Sequence, residues 1–377
     1  MTSDSEHTDL ATAMVDGGDD FLIHQTPELL RYVATSDRRF YDRHWISGHS
    51  SSDELYLMFG LGSYPNLGVL DAFASVAING EQHTVRGSRE LGNNRFDTTR
   101  VGPIDLTILE PGRSFRIECR PHSGEVEFDL EWEAATPLFA EPGHFERSVG
   151  RIIQEGSRLV QTGKWSGSLQ VRGTSYEVTP DRWWGARDRA WGVRSIGLER
   201  EPRGILQAKQ QQNKRAALWI WAPMQFEDHT VHFTLGETSD GRRTGNAARE
   251  VRFSGIRELE QLEHDLEFDP DTRDFIRGSV SWKDPNGERT TVKVEPLTQG
   301  WMRAGTGYGG PDPWRHGKYM GENWSDVVSF DVSEKGDRSR LGPAHVVCRF
   351  ETSRGEVGYG LFETQVYGRY DRYGFGQ

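Results

Sequence analysis

The sequence is poor in cysteine, methionine and long apolar runs. Its 377 residues contain only two cysteines, Cys119 and Cys348, in no metal or redox spacing, so a disulfide framework and a thiolate metal site are excluded and buried, reduced thiols are expected. Only six methionines are present, and no stretch approaches the roughly 18 apolar residues that a membrane-spanning helix requires. The N-terminus lacks the basic region and apolar core of a signal peptide, so a soluble, unexported, cytoplasmic protein is expected, in which the sequon at Asn323 carries no glycan. Basic patches are also missing. Net charge is −12, and half of it comes from Asp4, Glu6, Asp9, Asp16, Asp19 and Asp20, which make residues 1–20 read as a disordered acidic tail. A nucleic-acid partner is excluded, because phosphate binding needs a basic surface.

What the chain does have is 43 Gly, 12 Trp, 11 Tyr and 18 Phe, a composition of strands and tight turns. Asn79-Gly80 between Ala74–Ile78 and Gln82–Val85 predicts a two-residue hairpin, and further turns are expected at Pro111-Gly112, Arg172-Gly173, Asp240-Gly241, Asp284–Gly287 and Arg354-Gly355. Alternating runs such as Val126–Trp132, Ala217–Ala222, Gly278–Trp282 and Thr291–Glu295 predict half-buried strands. The expectation is an all-β protein with few short helices. Thr26–Tyr32 predicts a short capped helix, and Ile256–Leu266 has a helical leucine spacing that a strand can override. Thr136–Arg147 and Ala304–Ser325 read as loops, the second long enough for a lid or binding loop. Two β domains are expected, 21–190 and 191–377.

The densest segment lies at that boundary. Asp181–Arg194 holds three Trp, four Arg and two Asp. If it is extended, Trp183, Arg187, Arg189 and Trp191 share one face, and Trp184, Asp188 and Arg194 the other. Two readings stand: a clasp of stacked guanidinium, indole and carboxylate groups joining two domains, and an active site.

Other motif matches fail. Gly305–Gly310 fits a dinucleotide pattern by letters, but Pro311 and Pro313 follow it and no helix can start there. His229 and His232 sit in a strand-like run that points them to opposite faces, so no metal is expected. A Gly-x-Ser-x-Gly elbow, a phosphate loop and a His-Glu-x-x-His motif are all lacking.

Gln161-Thr-Gly163-Lys-Trp165-Ser-Gly167, then a strand and turn, then Arg187-Asp188-Arg-Ala-Trp191-Gly-Val-Arg194, resembles the central signature of the carotenoid 1,2-hydratase (hydroxyneurosporene synthase) and AttH-like superfamily. Tyr64-Pro-Asn66-Leu-Gly68, Trp314-Arg-His316-Gly-Lys-Tyr319 and Gly358–Glu363 are similar to its poorly characterised actinobacterial branch. The resemblance runs from about Asp20 onward. It implies two lipocalin-like (calycin-type) antiparallel β-barrel or sandwich domains packed together, an apolar small-molecule substrate such as a terpenoid or polyketide, and hydration, cyclisation or isomerisation of an alkene without a cofactor. Many members carry His or Ser just after the motif Asp, where this chain has Arg189 and Ala190, so any such function is absent here or has moved, with His316 the candidate.

Adding water to an alkene needs a positioned proton donor and a wall that tolerates cationic charge. A carboxyl group kept neutral by an apolar pocket supplies the first, and aromatic faces the second. Asp188, beside Arg residues, is expected to have a lowered pKa and an orienting role; Glu363 and Asp42 are the acid candidates, and His316 is a base toward water. Trp184, Trp191, Arg187, Arg194, Tyr64, Asn66, Trp165, Tyr308, Trp314 and Tyr319 are the candidate substrate contacts. Each has a plainer reading: Glu363 and Asp42 as solvent-facing strand carboxylates, His316 as a loop cap, Trp165, Trp219 and Trp221 as core, Asn66 as a turn residue. Two other functions remain open: a carrier or sensor of an apolar ligand, with an apolar cavity, and a carbohydrate-active β-sandwich, with two carboxylates roughly 5 to 10 Å apart across a groove.

Overall fold

The structure, a computed structural model, describes residues 17–52, 54–92, 99–122, 124–194, 217–334 and 336–376. They form an all-β molecule of two antiparallel sheets. The first half supplies β1 (Phe40–Ser50), β2 (Tyr56–Tyr64), β3 (Val69–Ile78), β4 (Glu81–Glu90), β5 (Ile104–Glu110), β6 (Ser114–Cys119), β7 (Val126–Ala134), β8 (Phe139–Ala140), β9 (His144–Ser148), β10 (Arg151–Val171), β11 (Thr174–Val178) and β12 (Trp183–Val193). The second half supplies β13 (Leu218–Gln225), β14 (Thr230–Glu237), β15 (Arg243–Arg252), β16 (Gly255–Phe268), β17 (Phe275–Lys283), β18 (Arg289–Trp301), β19 (Asn323–Asp331), β20 (Ala344–Thr352) and β21 (Val357–Val366).

The first sheet runs β19-β4-β3-β2-β1-β12-β10-β7-β6-β5, with β8, β9 and β11 added along the long β10. It curls on itself. Phe59 of β2 meets Phe128 of β7 at 6.5 Å, although the two strands lie far apart in the sheet order. Trp132 and Trp165 pack edge to face inside the curl at 5.1 Å. The second sheet, β13 to β18 with β20 and β21, closes into an eight-stranded barrel whose lumen is filled by residues such as Ile220, Phe233, Val292, Phe350 and Phe362. Together they have the lipocalin-like, barrel-type architecture the resemblance implied.

Alternation explains the strands: β7 buries every second residue, and its polar positions stay outside. All six expected turns join adjacent strands. Asn79 and Gly80 both take positive φ, 50° and 78°, as a two-residue turn matching the strand twist requires.

Several expectations are corrected. Thr26–Tyr32 forms bends and turns, its Thr26 hydroxyl accepting only a local bond from the Glu28 N–H at 3.3 Å. For Ile256–Leu266 the sequence left helix and strand open, and it lies in β16, where pairing with β15 and β17 overrides the leucine spacing. Thr136–Arg147 contains β8 and part of β9, both recruited by the length of β10. Of the acidic tail, residues 1–16 lie outside the described residues, and Gly17–Asp20 form a short 3-10 turn in which Asp19 accepts the Leu30 N–H at 2.8 Å. Separately, residue 190 lies within β12, and β19, from the second half of the chain, pairs with β4 of the first sheet. Among the described residues no helix is long and apolar enough to cross a membrane.

Candidate functional site

Two carboxylate–indole pairs are created by strand register. Asp188 on β12 lies directly opposite Trp45 on β1, and Glu363 on β21 directly opposite Trp221 on β13. Opposed residues in an antiparallel pair share a face. Both faces turn away from their own cores: neighbouring Ile46 packs inside the curled sheet, and neighbouring Ile220 and Phe362 pack inside the barrel. The four side chains therefore meet where the outer face of the barrel packs on the first sheet. There they line a cavity of about 740 Å³ with Arg158, Arg194, Trp219, Met302, Arg303, Tyr308 and His345. A barrel cavity near the domain seam was expected; this cavity lies at the seam, and the lumen itself is filled by side chains, as eight strands leave just enough room for them.

Burial dominates the electrostatics. Glu363 retains 22 % side-chain exposure, on the cavity wall, and loss of solvation pushes its pKa up to about 7, with Arg158 opposing and the Asp188 charge adding to the rise. Asp188 is also raised, first by burial, against Arg158, whose Nε lies 3.6 Å from its Oδ2. The lowered value expected from its arginine neighbours is thus corrected. Strand alternation sends Arg187 to the opposite face, where it donates to Gln161 Oε1 at 2.8 Å and covers the Phe115 ring at 4.8 Å, and Arg189 pairs with Asp42. Burial lowers the Arg187 pKa to about 10.

Around Glu363 the polar groups are ordered. His345 Nε2 stands 3.5 Å from Glu363 Oε2, and burial depresses its pKa to about 3, so the ring is neutral. The Tyr56 hydroxyl, its own pKa raised by burial, lies 3.4 Å from His345 Nδ1; donating there, it leaves the proton on Nε2, facing Glu363. Glu141 is buried behind Trp221. It accepts the Trp221 indole N–H at 2.7 Å and lies 3.3 Å from Arg158 and 3.0 Å from His232, and these partners outweigh burial to hold its pKa near 2.

A second buried group stands behind Tyr308. Arg43 lies 4.9 Å over the Tyr308 ring and 3.3 Å from His316 Nε2, and His316 Nδ1 lies 3.6 Å from Asp71. Burial raises Asp71 to about 7 and holds His316 well below its ordinary value.

Of the residues singled out in the sequence, Asp188, Glu363, Arg194 and Tyr308 line the cavity. His316, 1 % exposed, and Tyr64 belong to the group behind Tyr308 and do not reach it. Asp42 is held by Arg189 away from the cavity. Trp165 donates to the Ser47 carbonyl at 3.0 Å in the first core, and Trp314 is buried against His316 at 5.5 Å. Trp184 meets Tyr359 edge to face at 5.2 Å, joining β12 to β21. Trp191 and Tyr319 are exposed, and Asn66 ties down a turn by donating to the carbonyls of Thr35 and Asp37 at 2.6 and 2.9 Å. Sequence reasoning missed Trp45, Tyr56, Glu141, Arg158, Arg303 and His345; it read Trp219 and Trp221 as core, and both do pack in an apolar cluster while also lining the cavity. The alternation of Ala217–Ala222 carried a usable signal, since Leu218 and Ile220 inside a barrel force Trp219 and Trp221 outside it.

No curated protein matches the chain. Among solved structures it is similar to kievitone hydratase from Nectria haematococca, with 15% identity, 90% of this chain and 94% of that one covered, and a TM-score of 0.48. It is also similar to CghA, solved with Sch210972, with 9% identity, 93% and 97% covered, and a TM-score of 0.48. One family matches over residues 15–376, nearly the whole chain, and the protein accordingly belongs to DUF8625, a family of unknown function.

Proposed function

We propose that the seam cavity is the active site of a hydratase, cyclase or isomerase that works by acid–base chemistry on an apolar, alkene-containing small molecule. The observation that carries this reading is Glu363: a carboxyl group on a wall of indoles, with its pKa pushed up to about 7. At neutral pH such a group is substantially protonated, as an alkene-protonating acid must be. Its proton passes to one alkene carbon as the π bond breaks, leaving cationic charge on the other carbon. Trp45, Trp219 and Trp221 and the Asp188 carboxylate stabilise that charge. In hydration a water attacks the cation and gives up a proton to Asp188; in cyclisation a second alkene attacks and a neighbouring C–H proton is lost. Arg158 stands within ion-pair distance of Asp188, at 3.6 Å, and not of Glu363, so we assign Asp188 as the base and Glu363 as the acid.

The cavity is not purely apolar, which favours an enzyme over a carrier. Two carboxyl groups also suit glycoside cleavage; the raised pKa of Glu363 and the apolar Met302 and Pro343 beside the indoles support the alkene instead. The resemblance to the carotenoid 1,2-hydratase and AttH-like superfamily points the same way. The test is native mass spectrometry of the Glu363→Gln variant purified from the natural host. The expected result is a retained unsaturated molecule that wild-type protein converts, with gain of one water or with no change in mass. A retained oligosaccharide, or a ligand the wild type leaves unaltered, overturns the proposal.

A further inference from the structure

A second cavity, of about 620 Å³, lies at the end of the barrel where β17 begins and β21 ends, and it shares Arg303, Pro343, Gln365 and Tyr367 with the seam cavity. The junction is where the charges stop cancelling. In the seam, Arg158 is held by Glu141 and Asp188 at 3.3 and 3.6 Å, and Arg194 lies over the Tyr41 ring at 5.3 Å. In the second cavity, Arg338 pairs with Asp274 at 3.3 Å and Arg273 donates to the Gly368 carbonyl at 2.6 Å. Arg303 lines both. Its backbone N–H is tied to the Leu341 carbonyl at 2.9 Å, while its exposed guanidinium has no ion pair or hydrogen bond among the described residues. A cation fixed at its base and open at its tip, on the rim of an indole-lined chamber, is a receptor for an anion.

We propose that Arg303 is a specificity residue that binds an anionic head group, such as a carboxylate, on the apolar substrate. This rests on the seam cavity being the substrate site. Apart from Arg303 the second cavity sets Asp271, Asp274, Glu334 and Asp337 against Arg273 and Arg338, a net acidic lining that disfavours an anion, so the head group stops at the junction and the apolar body extends back toward Glu363.

The test uses cis-parinaric acid, a fluorescent apolar polyene carboxylate, and its uncharged methyl ester, titrated at pH 8 into the full-length protein. The acid is expected to bind about ten-fold more tightly than the ester, equivalent to about 1.4 kcal/mol. Arg303→Gln abolishes that preference and leaves ester affinity unchanged, and Arg303→Lys keeps part of it. Equal binding of acid and ester by the wild type, an undiminished preference in Arg303→Gln, or a lysine variant no better than glutamine overturns the role of Arg303 and leaves the seam site standing. Failure of the ester to bind the wild type overturns the apolar site itself, and this inference with it.

Discussion

Replacing Glu363 by glutamine removes a group that folding holds in an unfavourable place, and the consequence is measurable without a substrate. The carboxyl rises from an ordinary value of 4.5 to about 7, chiefly because the seam strips it of water. At 1.36 kcal/mol per tenfold change in proton affinity, keeping it ionised costs the folded state roughly 3 kcal/mol. The sign follows from the direction of the shift. With the folded-state value above the unfolded one, the linked stability is fully present below about pH 4.5 and is lost as pH climbs to about 7. Glutamine, neutral and of the same shape, carries no such loss. Glu363→Gln therefore unfolds at nearly the same urea concentration as wild type near pH 4.5, and is the more stable by roughly 3 kcal/mol at pH 8. Turnover moves the other way, falling by about a hundredfold or more with loss of the proton donor. A variant no more stable than wild type at pH 8 would mean that the carboxyl is well solvated, and the argument for a neutral acid would fall.

The partners of Glu363 give distinct signatures. Asp188→Asn also removes a carboxylate raised by burial, so it keeps wild-type stability to within about 1 kcal/mol at pH 7 while losing turnover; urea unfolding that shows a large destabilisation would make Asp188 a clasp between sheets. Arg158→Met leaves Glu141, 6 % exposed, without its guanidinium, which costs about 3 kcal/mol, and removes the cation opposing both raised pKa values, so the pH–rate profile shifts upward. An unshifted profile would separate Arg158 from the acid pair. Gly185→Ala sets a methyl 2.1 Å from the Ser47 carbonyl oxygen and 2.8 Å from the Trp165 indole nitrogen, forcing β12 from β1 at a cost of about 3 kcal/mol in thermal or urea unfolding. A stable alanine variant would contradict the close approach of those strands.

Much of the fold was legible because its signals are local. Asn79-Gly80 and the other turn pairs depend on backbone preferences within a few residues, and the alternation of Val126–Trp132 records which face of β7 meets a core. Where long-range pairing decides, local signals failed. Ile256–Leu266 has helical spacing but is captured between two strands, and Phe139–Ala140 pairs only because β10 extends past β7. The recruitment of β19 to the first sheet has no signature within its own residues, since β4 supplies the partner edge.

The site was half legible for a related reason. Asp188 and Arg194 stood out because charge and indole crowd one segment, and alternation correctly set them on one face. The sign of the Asp188 shift did not follow from adjacency, since the arginines next to it in sequence point away, while Arg158, its nearest cation, lies on β10. Glu363 is harder still. Its neighbours in sequence are those of any half-buried strand, and its properties come from Trp221 across β13, His345 from β20, and Arg158 and Asp188 from the other sheet. Register makes it what it is. A slip of β21 by one residue turns Phe362 or Thr364 into the seam and Glu363 into the packed lumen, where an uncompensated carboxyl is far more costly than at the cavity wall. The acid is thus specified by the same apolar pattern, Leu218, Ile220 and Phe362 facing inward, that closes the barrel, and substitutions that loosen the lumen without touching the cavity will shift the titration of Glu363 as well as the stability of the fold.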